Sequence, residues 1–272
     1  LLADAWNNMG LVRWQLGRLA DAAASFEQAL AIWRKIGNPF SEIAAQSNLS
    51  IIAEKQGRLE EAKRRCEQAL ARAEELGYLH GISAILANLS NLELLRREWP
   101  AAELHGSRSL YAARLTGHAN SEAIALENLG LAQGGAGFYE EAIRSLRLAE
   151  QLGDQSGDPL RRDSARLAQA WVAFAKGRQS VASHLMERIG TDLSPDLQAW
   201  RETLQLACRA SDGLNGFDDF EPEKIESWQR GVSLEDGLRR LDAAILLCER
   251  GVFQHQVELL RKLREDRLAG IA

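Results

Sequence analysis

The sequence predicts an all-α fold, a stack of antiparallel helix hairpins, and three observations carry that prediction. Residues recur at a fixed spacing of 40, the apolar residues between recurrences follow helical periodicity, and strand-like alternation is absent. The spacing shows in Asn8, Asn48, Asn88 and Asn128, each followed by an apolar residue at Met9, Leu49, Leu89 and Leu129. Two further columns stay small: Gly10, Ser50, Ser90, Gly130 and Ala170 in one, and Ala22, Ala62, Ala102, Ala142 and Ala182 in the other. Helices approach to roughly 8–10 Å only where the contact residues are small, so these columns mark where the two helices of each hairpin cross.

The elements follow in order. Gly17, Gly57, Gly137 and Gly177 mark a turn inside each unit except the third, where Arg97 stands instead, and Gly37, Gly77, Gly117 and Gly157 mark the turn between units. Between them Leu19, Ala22, Ala23, Phe26, Ala29, Leu30 and Trp33 repeat at helical spacing. Ser41 and Ser121, before Glu42 and Glu122, read as helix starts. The expected helices lie near 3–16 and 20–36, 42–56 and 60–76, 80–96 and 100–116, 120–135 and 139–153, and 160–176 and 179–189, which gives five hairpins over residues 1–190.

Beyond residue 190 the register fades. Residues 191–272 read as degenerate helical hairpins that cover the open end of the stack, because the last unit of a solenoid needs an atypical outer face. Pro195 to Ser211 is one helix, with Leu197, Trp200, Leu204 and Cys208 on a stripe, and Asp212 to Asp219 is a loop. A short helix to Gln229, a helix from Ser233 to Arg250 and a final helix from Phe253 to Leu268 complete the tail. The chain opens on Leu1-Leu2-Ala3-Asp4, with neither Met nor a basic-apolar leader, as expected of a segment of a longer protein.

Composition narrows the function. In 272 residues, 46% hydrophobic and 26% charged, no apolar run approaches the roughly 20 residues that span a bilayer, so no membrane role is expected. A net charge of -5 with interleaved signs argues against direct nucleic-acid binding. Cys66, Cys208 and Cys248 are few and far apart, which suits a reducing, cytoplasmic compartment and neither a disulfide framework nor a metal site. His80, His105, His118, His184 and His255 share no ligand spacing, and no phosphate loop, nucleophile elbow or paired-His signature is present. Gly134-Gly135-Ala136-Gly137 lacks the Lys-Ser/Thr ending and the preceding strand of a phosphate cradle, and reads as a softened helix end. The expectation is a non-enzyme without catalytic residues, metal or cofactor.

The first unit, with Trp6, Gly10, Gly17, Leu19, Ala22, Phe26 and Ala29, resembles a tetratricopeptide repeat, and the next four follow with substitutions. The resemblance covers residues 1–190 and implies a right-handed superhelix of hairpins. It departs from the family pattern at Arg13, Ala53, Glu93, Gln133 and Ala173, where a bulky aromatic is usual, and at Ala168, which replaces the asparagine. The 40-residue unit is similar to the longer repeats of kinesin light chains, of Asn-bearing polarity adaptors and of bacterial signal-responsive regulators.

The asparagine column is the candidate site. At about 100° per residue, Asn8 falls about 150° from the Trp6, Met9, Gly10 and Arg13 stripe, so it faces away from the hairpin's own core. First helices of such hairpins line the concave side of a superhelix, which gathers the outward residues into one groove. Asn8, Asn48, Asn88 and Asn128 are then spaced to meet an extended chain, and Trp14, Ile51, Lys55, Asn91, Leu95 and Glu127 lie on the same face. An amide holds a peptide N–H and C=O together without reading the side chain, and the resembling families imply that role for these four asparagines. The alternative is that the asparagines bond neighbouring helices. The expected partner is a peptide or protein segment of mixed apolar or mildly basic character, in the sensory or scaffolding part of a larger bacterial regulatory protein. Another domain of the parent chain, a second copy, or a neighbouring catalytic domain that the array regulates are the other readings. The Lys63-Arg64-Arg65 run is expected on a solvated convex face.

Overall fold

The computed structural model describes residues 1–211 and 257–269. Ten helices make five hairpins: α1 (Leu2–Gln15) with α2 (Leu19–Ile36), α3 (Pro39–Lys55) with α4 (Leu59–Glu75), α5 (Leu79–Leu95) with α6 (Trp99–Thr116), α7 (Ala119–Gly135) with α8 (Tyr139–Ser156), and α9 (Pro159–Ala175) with α10 (Gln179–Glu187). Two more follow, α11 (Pro195–Ser211) and α12 (Val257–Leu268). The described residues contain no strand. The loop expected over 212–219 and the helices expected over 221–229 and 233–250 lie outside the described residues.

The turns obey the glycine columns. Gly17 and its equivalents adopt positive φ, and Arg97, which takes the glycine's place in the third hairpin, is held at φ 59° with its guanidinium 5.6 Å from the centroid of the Trp99 ring. The starts differ from expectation. Ser41 lies inside α3, whose cap is Asn38, accepting from the Ser41 N–H at 3.2 Å with Pro39 in the first turn. A proline there has no N–H to leave unpaired, so the helix begins three residues earlier than a serine cap would allow. Asp158 and Pro159 repeat the device at α9. Ser121 likewise falls inside α7.

The small columns hold the hairpins shut. Ala22, Ala62, Ala102, Ala142 and Ala182 are each completely buried. A Cβ on Gly10 would sit 2.6 Å from the Phe26 ring, and one on Gly130 would sit 2.6 Å from Leu146 Cγ, so glycine is required where a bulky partner crosses. The core is a chain of overlapping clusters, as expected of a quasi-one-dimensional stack. Phe26, Leu30, Trp33, Leu49 and Ile52 join the first hairpin to α3; Ile43, Leu59, Cys66, Ile85, Leu89 and Leu92 join α3 and α4 to α5; Leu146, Leu167, Phe174 and Met186 extend to Trp200, Leu204 and Cys208 of α11.

First helices pack directly on first helices, α3 on α5, α5 on α7 and α7 on α9, whereas the second helices α4, α6 and α8 do not pack on one another to the same extent. The side where helices touch is the shorter one, so the stack curves with its first helices inside. No helix among the described residues is long and apolar enough to cross a membrane.

Candidate functional site

The inner side is built from a repeating stripe on each first helix, at spacings of three and four residues. Asn48, Ile51 and Lys55 on α3, Asn88 and Asn91 on α5, and Asn128 and Leu131 on α7 are half-exposed along it. Asn8, on the first helix, is exposed. Trp14 is half-buried and packs against the first core cluster, which makes it partly a packing residue.

Three of the four predicted asparagines are tied to the preceding hairpin. Asn48 Nδ2 donates to Asn7 Oδ1 at 3.2 Å, Asn88 Nδ2 to Ser47 Oγ at 3.0 Å, and Asn128 Nδ2 to the Ala87 carbonyl at 2.9 Å, each 41 residues back. Each bond joins two first helices, so the interhelix alternative holds for three of the four. It uses one hydrogen of an amide that has two, and the side-chain oxygen is not spent in it.

Leu95 and Glu127 depart from the expected groove face. Leu95 is buried in the second cluster, where Leu268 of α12 also packs. Glu127 is buried because the next hairpin claims it: Ser164 Oγ donates to Oε1 at 2.7 Å and Arg161 Nη1 stands 3.7 Å from Oε2. Asn91 is likewise engaged, donating to Glu54 Oε2 at 3.0 Å. Both buried carboxylates are bound by the residue 37 positions later, a diagonal contact between adjacent first helices. The signal was present in the sequence as the 41- and 37-residue spacings, but only paired helices show which spacing is a contact. Buried polar groups of this kind are hydrogen-bonded almost without exception.

The basic run on α4 is not wholly solvated. Arg65 pairs with Glu61 at 2.9 Å as an i,i+4 pair and also reaches Glu27 of the first hairpin at 2.8 Å. Lys63 Nζ lies 2.9 Å from Glu93 Oε1, a carboxylate almost fully buried, and that hydrogen bond holds the lysine ammonium above its ordinary value. Glu93 stands where the family pattern has an aromatic, and its burial explains why a nearby cation is recruited.

The glycine run also has a packing reason. A Cβ on Gly134 would lie 2.6 Å from Val172, and one on Gly135 would lie 2.6 Å from the Trp99 indole. These glycines admit large neighbours to α7.

Chemically, the described residues offer binding surface. They hold no group of three or more His, Cys, Asp and Glu placed for a metal ion. Cys66 is buried, and burial pushes its thiol up to about 11, so it is protonated and unreactive at neutral pH.

Comparison with known proteins agrees with this architecture. The tetratricopeptide repeat family model matches residues 1–75. No curated protein matches the chain. Among solved structures, a crystal structure of a Rap protein complexed with Competence and Sporulation Factor aligns over 98% of this chain and 76% of its own, with 14% identity and a TM-score of 0.74. A putative kinesin light chain from Podosopora anserina with nearly identical TPR-like repeats aligns over 74% of this chain and 94% of its own, with 18% identity and a TM-score of 0.51. The first hairpins match the tetratricopeptide repeat in sequence, and the stack as a whole shares the helix-hairpin solenoid fold of these structures.

Proposed function

We propose that this stack is a non-catalytic protein-interaction module that receives an extended peptide or protein segment along the inner stripe of Asn8, Asn48, Asn88 and Asn128. The observation that carries the reading is the half-exposed, regularly spaced amide column. Each inner asparagine is pinned by one hydrogen to the hairpin before it, which fixes its rotamer and leaves polar capacity along the stripe. Adjacent first helices lie about 10 Å apart and an extended chain rises about 3.3 Å per residue, so one amide meets roughly every third residue of a ligand. Preset amides lose little rotamer freedom on binding, which favours affinity.

Ile51 and Leu131 supply apolar contacts, and Trp14 supplies a wall at the first hairpin. Lys55 and Asn91 add polar contacts. Glu54 places negative charge near the stripe, which suits a ligand of apolar and basic character. The Rap protein of similar fold is complexed with Competence and Sporulation Factor, and that likeness favours a sensory or scaffolding role in a larger bacterial regulatory protein of the cytoplasm.

The test is hydrogen exchange on the full chain with the tightest binder from a library of random dodecapeptides. Protection is expected on α3, α5 and α7. Protection confined to α4, α6 and α8 would move the site to the outer face.

A further inference from the structure

The last described helix reaches back to the third hairpin. Arg264 of α12 donates from Nη2 to the Leu95 carbonyl at 2.7 Å, across 169 residues of chain, and its side chain is buried. Leu268, one turn further on, packs against the cluster that contains Ile43, Leu92 and Leu95.

The Leu95 carbonyl is a natural receptor. It is the last residue of α5, and the last carbonyls of a helix lack intrahelical donors. The backbone N–H groups of Arg96, Arg97 and Glu98 bond to Glu93 and Leu94, so the turn itself does not supply a donor to Leu95. A guanidinium there also meets the negative end of the helix dipole. One turn earlier, Asn91 holds the buried carboxylate of Glu54, which adds negative charge to the same mouth. Leu95 follows Asn88 by seven residues, and at about 100° per residue the two lie within about 20° of each other around the helix, so the mouth is the end of the asparagine stripe.

We propose that the C-terminal mouth of α5 is a docking site for a helix that carries arginine and leucine four residues apart, and that α12 is its resident occupant. A partner helix with the same Arg-x-x-x-Leu face displaces α12 and gains the end of the groove. The resident is suited to being displaced. Seven of its 12 residues are charged, which suits a helix that also stands in water once released. The occupant's chemistry follows from the receptor: a fork of N–H donors fits a terminal carbonyl beside a carboxylate, and an aliphatic residue one turn away fits the apolar cluster to which Leu92 and Leu95 belong.

The inference rests on the groove reading for its consequence alone. Binding of an α12 peptide tests the mouth of α5, whereas Asn48→Ala and Asn88→Ala test the stripe, so each can fail without the other. The experiment uses the full chain carrying Arg264→Glu and Leu268→Glu, and a fluorescent synthetic peptide with the sequence of residues 257–268. Anisotropy titration is expected to show the peptide binding this variant at least tenfold more tightly than the unsubstituted chain, whose site is filled. A peptide with glutamate in place of the arginine at 264 is expected not to compete. Equal affinity for both proteins, or no binding to the variant, would overturn the proposal. Should the double charge reversal unfold the chain, Arg264→Ala alone serves: at least threefold tighter peptide binding supports the proposal, and no difference overturns it.

Discussion

Asn88 donates an Nδ2 hydrogen to Ser47 Oγ at 3.0 Å, across the seam between the second and third hairpins. The donor is an asparagine at the first three seams while the acceptor changes, from the Asn7 amide oxygen to the Ser47 hydroxyl to the Ala87 backbone carbonyl. Where alanine removes the side-chain acceptor, the amide turns to the main chain. A conserved geometry with an exchangeable acceptor identifies the asparagine as the element the stack retains. Losing it should therefore weaken the seam. Asn48→Ala and Asn88→Ala are each expected to lower stability by about 0.5–1.5 kcal/mol, the net worth of one hydrogen bond. Asn8→Ala, at an exposed position, is expected to change it by less than about 0.5 kcal/mol. Urea denaturation of the three variants checks the contrast.

The crossing of α5 and α6 sets a second expectation. Ala102 is completely buried, and Ser90 Oγ donates to its carbonyl at 2.8 Å, so the two helices touch through the smallest available groups. Ala102→Leu should wedge them apart and cost about 1–3 kcal/mol by overpacking. A thermal transition at the unsubstituted temperature would contradict this packing register.

Among the described glycines, Gly153 lies tightest against another helix's backbone. A Cβ there would lie 2.6 Å from the Arg162 nitrogen and 2.8 Å from its Cα, atoms of α9 that cannot rotate away. Gly153→Ala is expected to destabilise by about 2–3 kcal/mol. Gly135→Ala meets only the Trp99 side chain and should cost less. Parallel thermal melts of the two variants test the order.

Acid should loosen the join between the fourth and fifth hairpins. Burial opposes ionisation of Asp163, but the Arg162 guanidinium, the Gly190 N–H and Arg166 outweigh it and hold the carboxyl below its ordinary 3.8. Burial likewise opposes ionisation of Glu150, and Gln169, Arg166 and Arg188 hold it below its ordinary 4.5. A depressed carboxyl pKa contributes stability that is present above the unfolded value and lost as pH falls through the folded one. Stability is therefore expected to decline below about pH 4.5 and to keep falling past the unfolded values. An Asp163→Asn, Glu150→Gln variant should show a flatter acid limb in its urea midpoints between pH 5 and pH 3.

Much of the fold was legible because the repeat repeats its constraints. Gly17 and its equivalents, the Ala22 column and the Phe26 and Leu30 spacing each fix one turn, one crossing or one buried face in register. The misplaced start at Ser41 reflects a competition that local pattern does not settle, since Asn38 and Pro39 cap earlier and more strongly. The inner stripe was legible as a face and illegible as a network. Helical periodicity places Asn88 and Glu127 on the side away from their own hairpin, but that side faces both the hollow and the neighbouring hairpin. Ser47 and Ser164 decide between them, and they enter only through the tilt of one helix on the next. Arg264 was beyond reach altogether, since no periodicity links residue 264 to residue 95.

Ser47→Ala takes away the hydroxyl acceptor at this seam, whereas Asn88→Ala takes away the amide itself. Titrating the tightest dodecapeptide against both variants therefore separates a groove amide from a structural one. Asn88→Ala is expected to bind at least about fivefold more weakly, the worth of one hydrogen bond, and Ser47→Ala to stay within about twofold of the unsubstituted chain. Equal losses in the two variants, or none in either, would contradict the groove as the place where this protein holds its partner.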